Sequence, residues 1–325
     1  MKKVPGETFE VERKTLQDVF SQLPIKGETA FANTRGKFRE KVKKQQLRYL
    51  REYVPDLKYI LEEGEEILLA SRSVSPFTHL EELTTFAWIY VIKRCLLVLT
   101  SRRILHFPSN YRFKPADSIS QIRFQDIESF KGKGRITFRY KNGTREFFSR
   151  VRNGKRLVQL LKKSVTASSK SSPYAARQHL CPRCAAPLGR NRFSCPRCRF
   201  RFKRPRTAGL YSIFLPGGGY FFTRHPLLGL GSAVTELALL FTAVFFLLGF
   251  FNSPEKDFAW LFAGIAAGSA FIVGKLVSFY HSRQFLAEFI PVKKRFERIS
   301  RKTPVARPEV VGFQDGFEEE KVTFY

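Results

Sequence analysis

Four of the five cysteines lie in one short motif, C-P-R-C followed by ten residues and a second C-P-R-C. The motif places Cys181, Cys184, Cys195 and Cys198 as two pairs, each with two residues between its cysteines. Each pair can form a tight knuckle that directs two thiolates at one ion, and two knuckles complete a tetrahedron. The spacing therefore predicts one structural Zn²⁺ ion, closed to substrate.

Two disulfides or a redox pair are the alternatives for these cysteines. A redox pair is disfavoured because no βαβ pattern surrounds the motif, and cysteines gathered in a metal-type motif fit a reducing compartment. The motif resembles short zinc ribbons, although Ala185 and Arg199 replace the glycine that usually follows each knuckle. A segment this short cannot fold on apolar burial alone, so we expect zinc to supply most of its stability. The fifth cysteine, Cys95, is predicted to be a buried strand thiol.

A basic stretch with interleaved aromatics follows the second knuckle, and a second basic stretch lies near the C-terminus. With a formal net charge of +29, the chain suits either an anionic membrane lipid or a nucleic acid as a partner. Phe200 and Phe202 alternate with the first basic residues, which predicts an interfacial membrane anchor; base stacking on these rings is the nucleic-acid alternative. The candidate membrane-interface residues are Arg199, Arg201, Lys203, Arg204, Arg206, Lys293, Lys294 and Arg295.

Two long apolar runs dominate the second half of the chain, at residues 227–251 and 258–280. Each exceeds the roughly 20 residues that a helix needs to cross a bilayer, and the six-residue connector N-S-P-E-K-D predicts an antiparallel transmembrane hairpin. The alternative is a buried hairpin of a soluble domain, but soluble helices of this length keep a polar face. Since basic residues flank the hairpin, both termini are expected in the cytoplasm; the resemblances given below imply a bacterial cell and its inner membrane.

Two ionisable residues interrupt the apolar runs, Glu236 in the first and Lys275 in the second. Counted from the connector they lie at similar depth, and intramembrane charges usually face a partner. We therefore expect an ion pair that sets the register of the hairpin; a proton or ion path is the alternative. Gly264 and Gly268 form a small-x-x-x-small face that suits close helix packing, either within the hairpin or between protomers of a homo-oligomer.

The segment before the hairpin, residues 208–222, is apolar but too short to span. Pro216, Gly217, Gly218 and Gly219 break it in the middle. This L-P-G-x-G pattern resembles the entry segment of small bacterial membrane proteins with TM2-type domains. An interfacial or re-entrant segment and a full third span are both open, and the basic Arg224 at its end favours the first. Backbone opened by glycines needs protein or water cover at membrane depth.

The first half of the chain changes from helical to strand patterns. A helix is expected from Asn33, with a basic face that either lies on a membrane or stays solvated while the helix packs on the next domain. Short β-branched and aromatic runs then predict antiparallel strands, with residues 86–100 as two of them, and Lys141-Asn142-Gly143 predicts a hairpin turn. With a helix over residues 153–163, these strands predict a small barrel or sandwich.

Three stretches in this region carry a family resemblance: L-E-E-G-E-E-I-L-L-A-S-R-S, C-L-L-V-L-T-S-R-R-I-L-H-F and the final strands from Gln121. They resemble bacterial pleckstrin-homology-like (GRAM-like) domains. The resemblance implies a PH-like β-barrel closed by a C-terminal helix, acting as a binding module for lipid headgroups or peptides. Lys131, Lys133 and Arg135 would then either line a phosphate site or form a solvated basic surface.

The chain is thus predicted to be a multidomain membrane protein. Its expected parts are a basic helical region (1–56), a PH-like domain (57–163), a linker (164–180), a zinc ribbon (181–203), a membrane hairpin with its entry segment (207–290), and a basic exit with an acidic tail (291–325).

No catalytic motif stands out in the sequence. The Gly-Lys pairs are never followed by Ser or Thr, G-x-S-x-G and H-E-x-x-H are absent, and the five histidines are scattered. We therefore expect a non-enzymatic inner-membrane adaptor or complex subunit that binds anionic lipid or a protein partner. The alternatives are a membrane tether for nucleic acid and a transport-related subunit in which Glu236 lines a cavity.

Overall fold

The computed structural model describes residues 18–165, 176–189, 192–254 and 257–292, without the side chain of residue 86. The basic residues predicted at 293–295 and the tail lie outside this part. Its helices, after a helical turn at 18–22, are α1 Gly27–Ala30, α2 Glu40–Leu50, α3 Val54–Ile60, α4 His79–Thr85, α5 Ile89–Ile92, α6 Gly154–Val165, α7 Pro205–Phe214, α8 Gly218–Phe222, α9 Pro226–Asn252 and α10 Phe258–Leu286. Its strands are β1 Ile67–Val74, β2 Arg94–Thr100, β3 Arg103–Pro108, β4 Ile119–Arg123, β5 Ile127–Gly132, β6 Ile136–Tyr140, β7 Arg145–Phe148 and β8 Gln178–Leu180.

The strands form two antiparallel sheets, one in the order β1-β2-β3-β4-β8 and one in the order β5-β6-β7. Within the described residues, one bridge between Val74 and Ser149 links them. The predicted turn between β6 and β7 is confirmed: Gly143 has φ +82°, and the Asn142 carboxamide accepts from the Thr144 amide at 3.0 Å. A positive φ at this place is the conformation that glycine adopts without strain.

Both faces of the larger sheet are buried, and β2 shows why its sequence is a continuous apolar run. Leu96 and Val98 face a core shared with α2 and α3, whereas Leu97 and Leu99 face the second sheet and α6. Successive strand residues point to opposite faces, so a strand covered on both sides needs apolar residues at every position. We call residues 18–165 and 176–180 together the sheet domain.

The basic α2 helix packs on the sheet, which decides between the two expectations for it. The buried Gln46 carboxamide accepts from the Ala70 amide at 2.7 Å and donates to the Ala70 carbonyl at 2.9 Å. It thereby occupies backbone groups of β1 that an edge strand would leave open. The described part of region 1–56 shares one core with the strands, so position 56 does not separate two independently packed units.

The prediction of a strand over residues 86–92 is wrong. The structure has helix α4, a 3₁₀ turn at Phe86–Trp88 and helix α5 there, and the chain becomes a strand only at Arg94. The cause lies just upstream, where the Thr78 amide donates to the Glu81 carboxylate at 2.8 Å and the Glu81 amide donates to Thr78 Oγ1 at 3.2 Å. This T-x-x-E capping box is a helix-start signal that the apolar pattern concealed.

A buried ion pair joins the motifs on which the family resemblance depends. Arg103 donates to both carboxylate oxygens of Glu65, at 3.0 and 2.8 Å, and the Thr100 hydroxyl donates to the same carboxylate at 2.6 Å. Burial raises the pKa of Glu65, but hydrogen bonds and charge from Arg103 outweigh it and the net pKa lies below the ordinary value. The carboxylate thus stays charged and ties the start of β1 to the β2–β3 turn.

The two long helices α9 and α10 run 27 and 29 residues, about 40 Å each at 1.5 Å per residue. They are long and apolar enough to cross a membrane, and only 11% and 17% of their most apolar stretches are buried. A core helix of a soluble protein would be mostly buried. Their contacts are antiparallel: Gly249 packs on Trp260, and Gly264 on Leu247.

The entry segment, which with the start of α7 covers residues 205–222, turns back on itself. The Lys203 ammonium donates to the Phe222 carbonyl, so the start and the end of the segment lie side by side. Helices α7 and α8 both pack against α10. A segment whose ends meet cannot be a full third span, which leaves the interfacial or re-entrant alternative.

Candidate metal centre and embedded charge pair

Two equivalent backbone turns position the four cysteines. In the first, the Ala185 amide donates to the Cys181 carbonyl at 2.7 Å; in the second, the Arg199 amide donates to the Cys195 carbonyl at 2.9 Å. The Cys181 amide likewise donates to the Ala186 carbonyl, and the Cys195 amide to the Phe200 carbonyl, both at 2.8 Å. The repeated C-P-R-C sequence thus folds into two matching knuckles.

The knuckles bring the four thiols into one cluster. Sγ of Cys181 lies 3.6 Å from Sγ of Cys198, Sγ of Cys184 lies 3.5 Å from Sγ of Cys195, and all four lie within 4.8 Å of one another. All four are free thiols rather than disulfides. Tetrahedral sulfur ligands at 2.3 Å from an ion would be roughly 3.8 Å apart. The residues therefore fit a metal ion, and we call them the four-cysteine cluster.

The aromatics between the arginines form the core beneath the four-cysteine cluster. Phe200 and Phe202 are 9% and 2% exposed and pack edge-to-face with centroids 5.5 Å apart, and Phe202 packs in the same way on Phe289 beyond α10. The sequence interpretation of these rings as interfacial or base-stacking groups is therefore wrong. Because a segment this small can bury few apolar residues, these two rings are needed to form its core.

The alternating arginines point the other way. Arg199, Arg201, Arg204 and Arg206 are exposed, whereas Lys203 is occupied by the Phe222 carbonyl. The alternation of Phe and Arg thus separates a packed face from a cationic face. That cationic face adjoins the start of the entry segment.

Both residues that replace the expected glycines have left-handed backbone conformations, Ala185 with φ +52° and Arg199 with φ +54°. Side chains with a Cβ pay about 1–2 kcal/mol for that conformation. We expect Ala185→Gly and Arg199→Gly each to stabilise the metal-loaded protein by about 0.5–1 kcal/mol, less than the full strain because glycine also loosens the unfolded chain. Thermal unfolding of each variant tests this.

The control is Ala186→Gly, which alters a neighbouring residue whose φ is negative. This control variant should lower the thermal stability of the metal-loaded protein. Equal stabilisation at all three positions would show that the backbone strain is not the cause.

In the membrane part, the structure brings Glu236 and Lys275 together. Lys275 Nζ lies 2.7 Å from Glu236 Oε2 and also donates to the Leu215 carbonyl at 3.1 Å. Glu236 in turn accepts from the Gly217 amide at 3.1 Å and from the Ser232 hydroxyl at 2.6 Å. The pair therefore joins three elements, not only the two long helices.

The pair binds the backbone at the P-G-G-G break and satisfies the amide that the break frees. Pro216 and Gly217 interrupt the helix between α7 and α8. The Gly217 amide therefore donates to Glu236, whereas the Leu215 carbonyl accepts from the Gly218 amide at 3.0 Å as well as from Lys275. Unpaired backbone groups cost several kcal/mol in hydrocarbon. Sequence reasoning placed the two charges at one depth but missed their backbone partners, because only folding brings residues 215–217 beside α9.

Gly217 itself has two reasons to be glycine. Its φ is +62°, and a Cβ there would lie 2.0 Å from the Gly229 carbonyl oxygen of α9. Gly218 and Gly219 are also tightly packed, against Tyr211 and Ser212 of α7. The glycines thus serve both as a break and as a close-packing surface between the entry segment and its neighbours.

The two glycines predicted to pack helices differ. A Cβ on Gly264 would lie 2.9 Å from Leu247 of α9, so this position packs within the hairpin; a Cβ on Gly268 would meet nothing within 4 Å.

A buried charge network fastens the sheet domain to the end of α10. Arg177, just before β8, donates to both oxygens of Glu146 on β7 and to both oxygens of Glu288 beyond α10, each at 3.1 Å. Despite burial, these two carboxylates hold the pKa of Arg177 above its ordinary value, and Arg177 holds that of Glu288 below it. The network was invisible in the sequence because its members are far apart in the chain.

His106 lies in the same network and should make stability depend on pH. Its ring nitrogens pair with Ser75 and Ser120, both at 2.8 Å. Burial, assisted by the Arg177 charge, lowers the pKa of His106 from 6.5 to about 3. The unfolded chain therefore binds a proton first, and the free energy of unfolding should fall below pH 6.5 by up to about 1.4 kcal/mol per pH unit.

Urea denaturation between pH 6.5 and 5.5, compared with the His106→Gln variant, measures this contribution. The wild type should lose stability faster than the variant on acidification. Parallel curves, or an imidazole that titrates near 6.5 by NMR in the folded protein, would contradict the assignment.

Compared with known proteins, the chain matches no family model, no curated protein and no solved structure.

Proposed function

We propose that this chain is a non-enzymatic membrane-anchored adaptor or complex subunit that holds a binding module in a fixed orientation at the cytoplasmic surface of a bacterial inner membrane. Support comes chiefly from the docking of the sheet domain on the end of the hairpin. The Arg177 network and the Arg224–Asp117 pair at 3.3 Å connect the two. A module with a flexible tether would need no such contacts.

The sheet domain is proposed to be a PH-like module. It has seven strands in succession, divided into four from the first sheet and three from the second, followed by α6. The motif residues Glu65, Thr100 and Arg103 form one buried cluster. A PH-like module implies recognition of lipid headgroups or peptides, in keeping with the resemblance stated above.

The ion of the four-cysteine cluster is proposed to be zinc with a structural role. Four thiolates are the usual ligand set of closed zinc sites, and the cluster lies between the sheet domain and the membrane part. The Tyr59 hydroxyl donates to the Arg183 carbonyl at 2.6 Å on one side, and Phe202 packs on Phe289 on the other. Zinc would thus stabilise the connection between module and hairpin.

The exposed arginines favour anionic lipid as a ligand. They lie beside Lys203 and Phe222, where the entry segment begins and ends, and each basic residue near an anionic leaflet contributes about 1 kcal/mol. Nucleic acid is a weaker candidate, because the buried Phe200 and Phe202 offer no stacking surface. A transport role finds little support at Glu236, since both its oxygens are occupied by protein donors.

The decisive experiment is purification of the full-length protein from membranes in mild detergent, followed by native mass spectrometry. We expect one zinc per chain, retained anionic phospholipid and a stoichiometric protein partner or a homo-oligomer. The variant Arg201→Gln/Arg204→Gln/Arg206→Gln should retain less anionic lipid. The charge-matched control Arg39→Gln/Lys41→Gln/Lys44→Gln, on and beside α2, should retain as much as the wild type.

If the purified complex contains nucleic acid that salt releases, instead of lipid, the result would support the alternative function, a membrane tether for nucleic acid. Absence of lipid, partner and nucleic acid alike would overturn the proposal.

A further inference from the structure

Three large apolar side chains are exposed on the helical connection between β1 and β2. Leu80, Leu83 and Trp88 have 48%, 67% and 58% of their surface accessible. Leu80 and Leu83 are three positions apart on one face of α4, and Trp88 follows at the end of the 3₁₀ turn. We call Leu80, Leu83 and Trp88 the apolar ridge. Three such residues together on a small domain form a patch that calls for a partner.

The apolar ridge is fixed beside the hairpin. Thr84, on the same face, pairs with His281 Nε2 at 2.7 Å, and Thr78 Oγ1 pairs with the Tyr280 hydroxyl at 2.9 Å. Both partners lie near the end of α10 that carries the sheet domain. The helical connection is therefore held at one level along α10 rather than projecting freely into solvent.

That level corresponds to the edge of the bilayer. Counted from Phe258, a hydrocarbon core of about 30 Å takes up roughly 20 residues of helix, so it ends near Ser278, just before Tyr280. Leu276, one turn earlier on the same side as Tyr280, is 63% exposed and faces lipid if α10 spans. The apolar ridge thus continues the apolar surface of α10 at headgroup depth.

From these contacts we infer that the apolar ridge inserts into the cytoplasmic interface of the bilayer, so that the sheet domain touches lipid directly. Its contact with lipid presupposes that α9 and α10 cross the membrane, as proposed above. A bilayer is favoured over a protein partner because the ridge is continuous with the lipid-facing side of α10. A tryptophan at this depth also matches the aromatic belts of membrane proteins.

Two guanidinium groups cover rings that pack on Phe77, at the start of the connection that carries the apolar ridge. The Arg150 guanidinium lies over the Tyr90 ring and that of Arg135 over the Phe147 ring, both at 3.7 Å from the centroid. Stacking on aromatics holds a guanidinium in place while its donors stay available. Glu82 accepts from the Tyr90 hydroxyl at 2.7 Å, so one carboxylate lies beside the ring that Arg150 covers. The remaining donors suit lipid phosphates.

The two tryptophans of the chain, Trp88 and Trp260, provide the test. Trp260→Phe leaves Trp88 as the reporter for the apolar ridge, and Trp88→Phe leaves Trp260 at the opposite end of α10 as the reporter for membrane crossing. Each variant is reconstituted in nanodiscs of phosphatidylcholine and phosphatidylglycerol, with acyl chains brominated near the headgroup. We expect the brominated lipid to quench the fluorescence of Trp88 to about the same extent as that of Trp260. Acrylamide should quench Trp88 less in the reconstituted protein than in the denatured protein.

The outcomes separate the two proposals. Lipid quenching of Trp260 without quenching of Trp88 would overturn the inserted ridge while leaving the hairpin in the membrane. If acrylamide then quenches Trp88 freely, the ridge faces water; if it does not, a second copy or another protein covers it. Absence of lipid quenching at Trp260 would overturn membrane crossing, and the proposed function with it. Leu80→Gln/Leu83→Gln in the Trp260→Phe background should reduce the quenching of Trp88, with Leu276→Gln as the control within the span.

Discussion

Removal of the metal from the four-cysteine cluster is expected to unfold the two knuckles and to loosen the sheet domain from the hairpin. Structural zinc supplies about 10–16 kcal/mol to small cysteine-ligated modules, more than the small core of Phe200, Phe202 and Leu188 can replace. Because β8 leads into Cys181 and Phe289 packs on Phe202, the loss should extend to both neighbours.

Alkylation with and without a chelator measures this effect. In the metal-loaded protein all five cysteines should resist iodoacetamide; after chelation four should react. Cys95 should stay protected until global unfolding, since burial raises the pKa of its thiol to about 12 and only the thiolate is nucleophilic.

Cys181→Ser should reproduce the effect of chelation, and Cys95→Ser is the matched control. Four cysteines that alkylate readily without a chelator, or two disulfides in the purified protein, would contradict a structural metal. Limited proteolysis between 181 and 203 should accelerate in the chelated protein only.

Separating Glu236 from Lys275 is expected to be the most damaging change within the membrane. Breaking one side of a buried ion pair costs about 3–5 kcal/mol, and here Glu236 also accepts from the Gly217 amide while Lys275 donates to the Leu215 carbonyl. Lys275→Met should leave the buried Glu236 carboxylate without its counter-charge, and Glu236→Gln should leave the Lys275 ammonium ion without its own.

The double variant Glu236→Gln/Lys275→Met should cost less than the sum of the two single variants, because it removes both charges while the glutamine still accepts from Gly217. Thermal unfolding in detergent, analysed as a double-mutant cycle, gives the coupling energy. Thr235→Val, a neighbouring change on α9, is the control. Additive effects would mean that the two residues act separately.

Residue patterns alone determined the parts that depend on local chemistry. The C-P-R-C spacing predicted the four-cysteine cluster, because two backbone knuckles suffice to bring the thiols together. Seven strands and the turn at Asn142-Gly143 followed from alternation and turn residues. The two long apolar helices followed from length and composition, since spanning a membrane is a property of one segment at a time.

Where two periodicities compete, the sequence pattern was not sufficient. Residues 86–92 are apolar and β-prone, yet the capping box at Thr78 and Glu81 starts a helix that tertiary contacts extend. Phe200 and Phe202 looked exposed because arginines surround them, but packing on Phe289 turned them inward. In both cases partners from other segments decided the outcome.

Only the tertiary structure revealed how the parts are joined. Arg177 meets Glu146 and Glu288, and the Glu236–Lys275 pair meets the broken backbone of the entry segment, although these residues lie far apart in the chain. The order of residues predicted which charges were present and roughly at what depth they lie. Which groups they satisfy depends on how separate elements pack, because a buried charge is stable only beside partners that folding supplies.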